Sequence, residues 1–293
     1  MLLSGAIKSL KVNTYLGRLA AIVCLLTLGF ALTANAVDVE EDVIYGHKDG
    51  MALIYHVLTP EEQNGAAVLL MISGGWYSWN MSGEMMAYFT SFLTDEGFTV
   101  IAVNHGSSPR YQVPDAVSDV RRAVRHIRAN ADEYGIDADR MGVYGASAGG
   151  HLSLMLGLTS DEGNAEAEDP INQVSNRVNA VVAYFPPVDL KDWVNDESDY
   201  PALRFDPELA PANSPIEFVT DDDPPILLIH GDQDDVVPVE HSRRMHAALK
   251  EAGVTNEYIE IEGAGHSFST PEHSERVNKA TVDFFKEHLA PPP

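Results

Sequence analysis

Five short runs of the 293-residue chain are almost free of polar side chains, and each is followed by a segment that can form a helix. These runs cover residues 67–72, 100–103, 141–144, 181–185 and 226–229. Strands that are apolar on both faces are typical of a parallel sheet with helices packed on both sides. The pattern therefore predicts an α/β fold with a doubly wound, mostly parallel sheet.

Two further segments add detail to this fold. Residues 43–45 and 51–58 flank an Asp49-Gly50 turn, which indicates an N-terminal antiparallel hairpin. The strongest helical periodicity covers residues 115–130, where apolar residues recur at three- and four-residue spacing. The opposite face of this helix carries basic residues, and we expect them to form a solvated face: Arg121, Arg122, Arg125 and Arg128.

The first 36 residues have the composition of a secretory signal peptide. A basic segment containing Lys8, Lys11 and Arg18 precedes the uncharged apolar stretch 19–32, and Ala34-Asn35-Ala36 is a small-x-small cleavage site. We expect cleavage after Ala36, a secreted or periplasmic protein, and one catalytic domain over residues 37–293. The alternative is an uncleaved N-terminal membrane anchor, since the uncharged stretch is just long enough to span a bilayer.

Charge and cysteine content exclude several functions. The chain has 44 acidic and 19 basic residues, a formal charge of −25, which disfavours nucleic acids and anionic membrane surfaces as partners. We expect no nucleic-acid partner and no stable membrane association once the leader is cleaved. The single cysteine, Cys24, excludes an intramolecular disulfide framework and a zinc site of paired cysteines. The acidic runs 161–169 and 221–223 lack the spacing of a calcium loop and indicate solvated loops, so we expect no metal and no cofactor.

A nucleophilic serine is predicted between the third apolar run and the helical stretch after it. Residues 145–150 read Gly-Ala-Ser-Ala-Gly-Gly, a G-x-S-x-G pattern centred on Ser147. A tight turn from strand to helix requires small neighbours, and it exposes the serine hydroxyl beside the N-terminus of the helix. The strand before and the helix after make this pattern far more specific than the five letters alone.

A serine hydroxyl becomes a good nucleophile only when a base takes its proton and an acid orients that base. Two strand ends downstream supply such groups. Three carboxylates follow the run 226–229, and a glycine-flanked loop after the strand 258–261 contains His266. We predict His266 as the base, while spacing leaves the acid open among Asp232, Asp234 and Asp235.

Residues 224–238 contain His230-Gly231, Asp234 and Val237-Pro238, and they resemble the H-G-x-x-D-x-x-V-P signature of α/β-hydrolases related to prolyl oligopeptidases and to feruloyl and acetyl-xylan esterases. Residues 145–151 are similar to the G-x-S-A-G-G-H segment of these enzymes, and the similarity covers most of residues 66–290. The resemblance implies an α/β-hydrolase fold and selects Asp234 as the acid of a Ser147, Asp234, His266 triad. Because the serine already has its base, we expect His230 to be a structural hydrogen-bonding residue at a strand end.

Backbone amides are expected to form an oxyanion hole. One is the amide of Ala148, and the other comes from Gly74 or Gly75 in the loop after the first apolar run. This loop departs from the H-G-G-G-W pattern of the resembling family, because Ile72 stands at the histidine and Ser73 at the first glycine.

Aromatic residues next to this loop, Trp76 and Tyr77, are candidates to contact the substrate, although aromatic residues at a strand end also pack in cores. Residues 186–220, between two strands, are expected to form a small cap insertion over the site.

These predictions together indicate a secreted serine carboxylic-ester hydrolase that acts through an acyl-enzyme on short-chain or carbohydrate-linked esters. A serine peptidase related to prolyl oligopeptidases is one alternative. A non-catalytic binding module built on a hydrolase fold is another. The expected partner is a small-molecule or carbohydrate ester substrate.

Overall fold

An eight-stranded sheet forms the centre of residues 37–291, the part of the chain that the computed structural model describes. The strands are β1 (Val37–Lys48), β2 (Met51–Pro60), β3 (Ala67–Met71), β4 (Thr99–Val103), β5 (Met141–Ala146), β6 (Ala180–Tyr184), β7 (Ile226–Gly231) and β8 (Asn256–Ile261). Their order in the sheet is β1-β2-β4-β3-β5-β6-β7-β8. Strand β2 pairs antiparallel with β1 and β4, and all other pairs are parallel. The predicted mostly parallel sheet and N-terminal hairpin are confirmed.

Within residues 37–291, five α-helices cover the two faces of the sheet. They are α1 (Gly83–Thr94), α2 (Val113–Ala129), α3 (Ala148–Leu158), α4 (Glu240–Ala252) and α5 (Pro271–His288). Buried side chains of α2, α3 and α4 pack on one face, and those of α1 and α5 pack on the other. Neighbouring residues of one strand point to opposite faces. In β3, Val68 therefore packs on the side of α1 and α5, and Leu69 packs on the side of α2, α3 and α4.

Helix α2 begins two residues before the predicted helix. The carboxylate of Asp115 accepts the backbone N–H of Gln112 at 3.1 Å, and Pro114 occupies the first turn, where its missing N–H costs nothing. The apolar stripe that predicted this helix is buried against the sheet.

The predicted solvated arginine face of α2 is wrong. Residues after α3 fold back over it, so that Arg125 is only 8% exposed and its Nη2 donates to both carboxylate oxygens of Asp161 at 2.5 and 2.7 Å. Arg122 pairs with Asp169 at 2.5 Å. Arg128 donates to backbone carbonyls, including that of Ser175 at 3.1 Å. Part of the acidic run 161–169 therefore neutralises the arginines of α2 instead of facing solvent alone.

Residues 186–220, which we call the cap segment, connect β6 to β7 and contain four short 3₁₀ helices, each beginning with a proline. A proline at the first helical position has the required backbone angle and loses no hydrogen bond. The backbone N–H of Val188 donates to Nδ1 of His241 at 3.0 Å, and the ring of Trp193 packs edge-on against the same imidazole. The cap segment is therefore attached to helix α4.

Within residues 37–291, none of the helices is both long and apolar enough to cross a membrane. The predicted signal peptide lies outside this range.

Candidate active site

Ser147 occupies a strained turn between β5 and α3. Its backbone angles are φ 55° and ψ −120°, a region that non-glycine residues rarely adopt. The turn packs so closely that a Cβ atom at Gly145 would lie 2.5 Å from the carbonyl carbon of Gly149. The N–H of Ser147 donates to the carbonyl of Tyr184 at the end of β6 at 2.9 Å. The small residues that flank the serine are therefore a steric requirement of this turn.

The structure brings together the three side chains predicted as a triad. Nε2 of His266 lies 2.9 Å from Oγ of Ser147, and Nδ1 of His266 lies 2.7 Å from Oδ2 of Asp234. The side chain of Asp234 is fully buried, whereas that of His266 is 22% exposed. With the Nδ1 proton donated to the carboxylate, Nε2 is free to accept the serine proton.

Of the three carboxylates that follow β7, only Asp234 contacts His266. Its other oxygen, Oδ1, accepts the N–H groups of Val236 and Val237, both at 2.9 Å. Asp232 instead accepts the N–H of Gly263 at 2.7 Å and so joins this loop to the one that contains His266. Asp235 is exposed.

His230, in β7, forms a hydrogen bond that holds the loop containing Asp234. Its Nε2 donates to the carbonyl of Val237 at 2.9 Å, and its Nδ1 accepts from the hydroxyl of Ser242 at 2.7 Å. The imidazole is fully buried, and this desolvation lowers the pKa of His230. These hydrogen bonds join β7 to helix α4 and to the loop of Asp234.

Phe185, which sequence reasoning missed, packs on the imidazole of His266. The two ring centroids are 4.5 Å apart, and the ring of Phe268 lies 5.1 Å from that of Phe185. Phe185 also has a positive φ of 37°, so its ring is directed by an unusual backbone conformation. It closes the fourth apolar run, and that position alone did not distinguish it from a core residue.

The candidate oxyanion loop is a tight turn over residues 74–77. The N–H of Gly74 donates to the carbonyl of Tyr77 at 3.0 Å, and the reverse bond measures 2.9 Å. Gly75 and Trp76, the two central residues, both have positive φ, 56° and 58°. Of the two loop amides predicted from the sequence, that of Gly74 is already used inside the turn, which leaves that of Gly75. Ala148 is the first residue of α3, where the helix itself provides no acceptor for the N–H.

His105, a residue that sequence reasoning missed, holds the candidate oxyanion loop in place. His105 follows β4, and its Nδ1 donates to the carbonyl of Gly106 at 2.9 Å, so its Nε2 accepts from the hydroxyl of Ser73, also at 2.9 Å. His105 is 5% exposed, and desolvation lowers its pKa to about 4, which keeps it neutral near pH 7. The carbonyl of Ser73 accepts the N–H of Gly149 at 3.2 Å. Ser73 thus connects the loop to the turn that contains the serine nucleophile candidate.

The two predicted aromatic contacts have different environments. Trp76 is 2% exposed, and its Nε1 donates to Nδ1 of His151 at 3.3 Å. His151 in turn donates through Nε2 to the carbonyl of Asn213 in the cap segment at 2.8 Å. The indole of Trp76 is therefore used in packing between the loop and the cap segment, whereas Tyr77 is 40% exposed and open to a ligand.

Within the described range, one set of three ionisable side chains lies close enough to share a cation: Glu257, Glu287 and His288. Glu257 is at the start of β8, the opposite end of that strand from the loop of His266. This set therefore has no part in the arrangement around Ser147.

Comparison with known proteins gives a family match and several relatives of similar sequence and fold. Residues 55–249 match the family described as BD-FAE. Esterase LipQ of Mycobacterium tuberculosis is 32% identical over 234 residues, which cover 75% of this chain and 55% of LipQ. The chain thus spans about half the length of this curated relative.

Two solved structures are similar to most of the chain. A truncated carbohydrate esterase from gut microbiota has a TM-score of 0.74 at 29% identity and covers 89% of this chain and 99% of its own. An acetyl ester-xyloside bifunctional hydrolase from Caldicellulosiruptor lactoaceticus has a TM-score of 0.72 at 25% identity, with 84% of this chain and 95% of its own covered. Because the family model matches more than half of the chain and these structures share its fold, the chain belongs to the BD-FAE family of α/β-hydrolases.

Proposed function

We propose that the protein is a secreted serine carboxylic-ester hydrolase that acts through an acyl-enzyme on short-chain or carbohydrate-linked esters. The observation that carries this proposal is the unbroken line of hydrogen bonds from Ser147 through His266 to the buried Asp234. The relatives add support, since LipQ is named an esterase and the gut-microbiota protein a carbohydrate esterase.

In the proposed first half-reaction, Oγ of Ser147 attacks the ester carbonyl while Nε2 of His266 takes its proton. The positive imidazole is stabilised by the carboxylate of Asp234, 2.7 Å from Nδ1. The negative charge that forms on the carbonyl oxygen is stabilised by the amides of Gly75 and Ala148. Collapse of the tetrahedral intermediate breaks the ester bond, and His266 gives its proton to the departing alcohol.

The second half-reaction repeats these steps with water. His266 removes a proton from water as the water oxygen attacks the acyl carbon, and the same amides stabilise the second tetrahedral intermediate. The bond to Oγ of Ser147 then breaks, the proton returns to that oxygen, and the carboxylic acid leaves. No step requires a group beyond these side chains, amides and water.

The proposed secretion rests on residues 1–36, whose composition is that of a signal peptide. N-terminal sequencing of protein recovered outside the cytoplasm is expected to begin at Val37. Recovery of full-length chain in the membrane fraction would replace cleavage by the anchor alternative.

The chain-length dependence of ester hydrolysis tests the proposed activity. We expect hydrolysis of p-nitrophenyl acetate and butyrate, weak hydrolysis of the palmitate, and a loss of several powers of ten with Ser147→Ala. Cleavage of aminoacyl amides without ester cleavage would establish the peptidase alternative. A folded protein inactive on both kinds of substrate would establish the binding-module alternative.

A further inference from the structure

Phe185, the residue that follows β6, has a backbone conformation that is costly for a non-glycine residue. Its φ is 37°, and such a conformation persists only where the surrounding structure holds it. The N–H of Phe185 donates to the carbonyl of Ile229 in β7 at 2.8 Å. One residue earlier, the carbonyl of Tyr184 accepts the N–H of Ser147 at 2.9 Å. The backbone segment that directs the ring of Phe185 therefore also holds the turn of Ser147.

The ring of Phe185 joins this segment to the loop that contains His266. The imidazole of His266 lies 4.5 Å from this ring, centroid to centroid, with 50° between the two ring planes. Phe268, two residues after His266, packs on Phe185 at 5.1 Å and on Tyr184 at 5.7 Å. Phe185 is only 6% exposed, so neighbouring atoms confine its ring. The contact is therefore between a fixed phenyl ring and a histidine that belongs to a loop.

The hydrogen bonds of the His266 imidazole leave one motion of this ring free. They join Nδ1 to Asp234 at 2.7 Å and Nε2 to Ser147 at 2.9 Å. They restrain two atoms of the imidazole, but not the tilt of its plane about the line through those atoms. The lone pair of Nε2 lies in that plane, so a tilt turns it away from Oγ of Ser147 and weakens this hydrogen bond. Because both nitrogens already have partners, the ring of Phe185 contacts the imidazole from the side and limits the tilt.

We propose that Phe185 is a positioning residue for the reaction at Ser147. Its ring fixes the plane of the His266 imidazole, so that the lone pair of Nε2 stays directed at Oγ. This proposal rests on the proposed esterase function and adds a residue outside the triad to it. Loss of the ring should slow proton transfer and leave substrate binding unchanged, because the nearly buried ring acts through His266.

Hydrolysis of p-nitrophenyl acetate by Phe185→Leu tests the kinetic consequence. This change keeps an apolar side chain but removes the ring. We expect kcat to fall about tenfold or more with KM unchanged, because a small misplacement of a catalytic group is enough for such a loss. Phe185→Tyr keeps the ring and should restore kcat to within about threefold of the wild type. Phe185→Met fills the space with a flexible chain, should show the same loss, and replaces Phe185→Leu if that variant does not fold.

Phe284→Leu is the matched control. The ring of Phe284 packs on that of His288 in α5, with centroids 4.4 Å apart, and Phe284 is 2% exposed. The same change at this second Phe–His pair removes a buried ring that has no part in the arrangement around Ser147. It should lower the free energy of unfolding and leave kcat unchanged. Equal losses of kcat in Phe284→Leu and Phe185→Leu would overturn the proposal, since a general loss of stability would then explain both.

A proton NMR measurement separates this proposal from the esterase proposal. The proton between Nδ1 of His266 and Asp234 gives a low-field signal while the imidazole is held in place, and the signal is identified by its absence in His266→Ala. We expect it in the wild type and in Phe185→Tyr. It should be lost in Phe185→Leu, because a tilting imidazole exchanges this proton with water.

The two measurements together have distinct outcomes. A low-field signal that only Phe185→Leu loses, in a protein that hydrolyses no ester, would overturn the esterase proposal alone. Ester hydrolysis with wild-type kcat in Phe185→Leu, or a low-field signal that survives in this variant, would overturn the positioning role of Phe185 alone.

Discussion

The hydroxyl of Ser73 donates to Nε2 of His105 across 2.9 Å, at the neighbouring ends of β3 and β4. Both groups are almost completely buried. In the H-G-G-G-W pattern of the family that this chain resembles, the oxyanion loop begins with a histidine. In this chain Ile72 stands at that position. A histidine from the adjacent strand end therefore fixes this loop.

Removal of this contact should weaken catalysis through the loop. Ser73→Ala leaves Nε2 of His105 buried without a partner, which costs about 1–3 kcal/mol of the free energy of unfolding. We expect kcat for p-nitrophenyl acetate to fall about tenfold with little change in KM, because the displaced amide acts on the transition state.

Ser91→Ala, at an exposed site of α1, is the control for this change and should retain wild-type kcat and stability. An unchanged kcat in Ser73→Ala, despite the lower stability, would show that the contact has no influence on the oxyanion loop.

Substitution can distinguish Asp234, the proposed acid of the triad, from the neighbouring aspartates. Asp234→Asn removes the charge that faces Nδ1 of His266, and we expect kcat to fall by about 10⁴-fold, as with a serine protease whose triad aspartate is changed in the same way. Asp235→Asn changes an exposed neighbour and should leave kcat within about twofold. Comparable losses in the two variants would remove Asp234 from its proposed role.

Three buried histidines make the stability sensitive to acid. Desolvation lowers the pKa of His105, His151 and His241 to about 4 in the native state, whereas histidines of an unfolded chain titrate near 6.5. The unfolded state therefore binds more protons between these values. Stability from these groups is fully present above about pH 6.5 and is lost as the pH falls towards about 4, by at most about 1.4 kcal/mol per pH unit for each histidine.

Denaturant unfolding at pH 7, 6 and 5 measures this loss. His151→Gln should reduce proton uptake on unfolding by about one, and the slope of stability against pH should become flatter. His47→Gln, at an exposed site of β1, is the control and should keep the wild-type slope. A slope that His151→Gln leaves unchanged would contradict the account.

Arg125 of α2 and Arg177, which lies just before β6, differ in their expected contribution to stability. Arg125 is nearly buried and binds Asp161 through both oxygens, so Arg125→Ala should cost about 1–3 kcal/mol. Arg177 pairs with Glu162 at 3.4 Å on the surface. Arg177→Ala should lower the free energy of unfolding by at most about 0.5 kcal/mol. Thermal unfolding measures the loss of stability in each variant. Equal losses would show that the ion pair of Arg125 contributes no more than a solvated surface pair.

The strands, the turn at Ser147 and the loops of Asp234 and His266 could be predicted because each depends on residues that are adjacent in the sequence. The contacts that were missed depend on which strands are neighbours in the sheet. Ser73 meets His105 only because β3 lies beside β4.

The buried arginine pairs of α2 were missed for the same reason. Helical periodicity identifies the face opposite the apolar stripe, but it gives no information about the loop after α3 that covers this face. Residues far apart in the sequence supply the aspartates, so the sequence pattern resembles that of a solvated helix.

Covalent labelling by a fluorophosphonate probe, with the labelled residue identified by peptide mass spectrometry, tests whether Ser147 is the nucleophile. We expect one probe per chain on Oγ of Ser147, with labelling slowed by orders of magnitude in His266→Ala, because the imidazole that takes the serine proton is missing. A folded protein that hydrolyses esters while Ser147 remains unlabelled, or that is labelled equally fast in His266→Ala, would contradict this expectation.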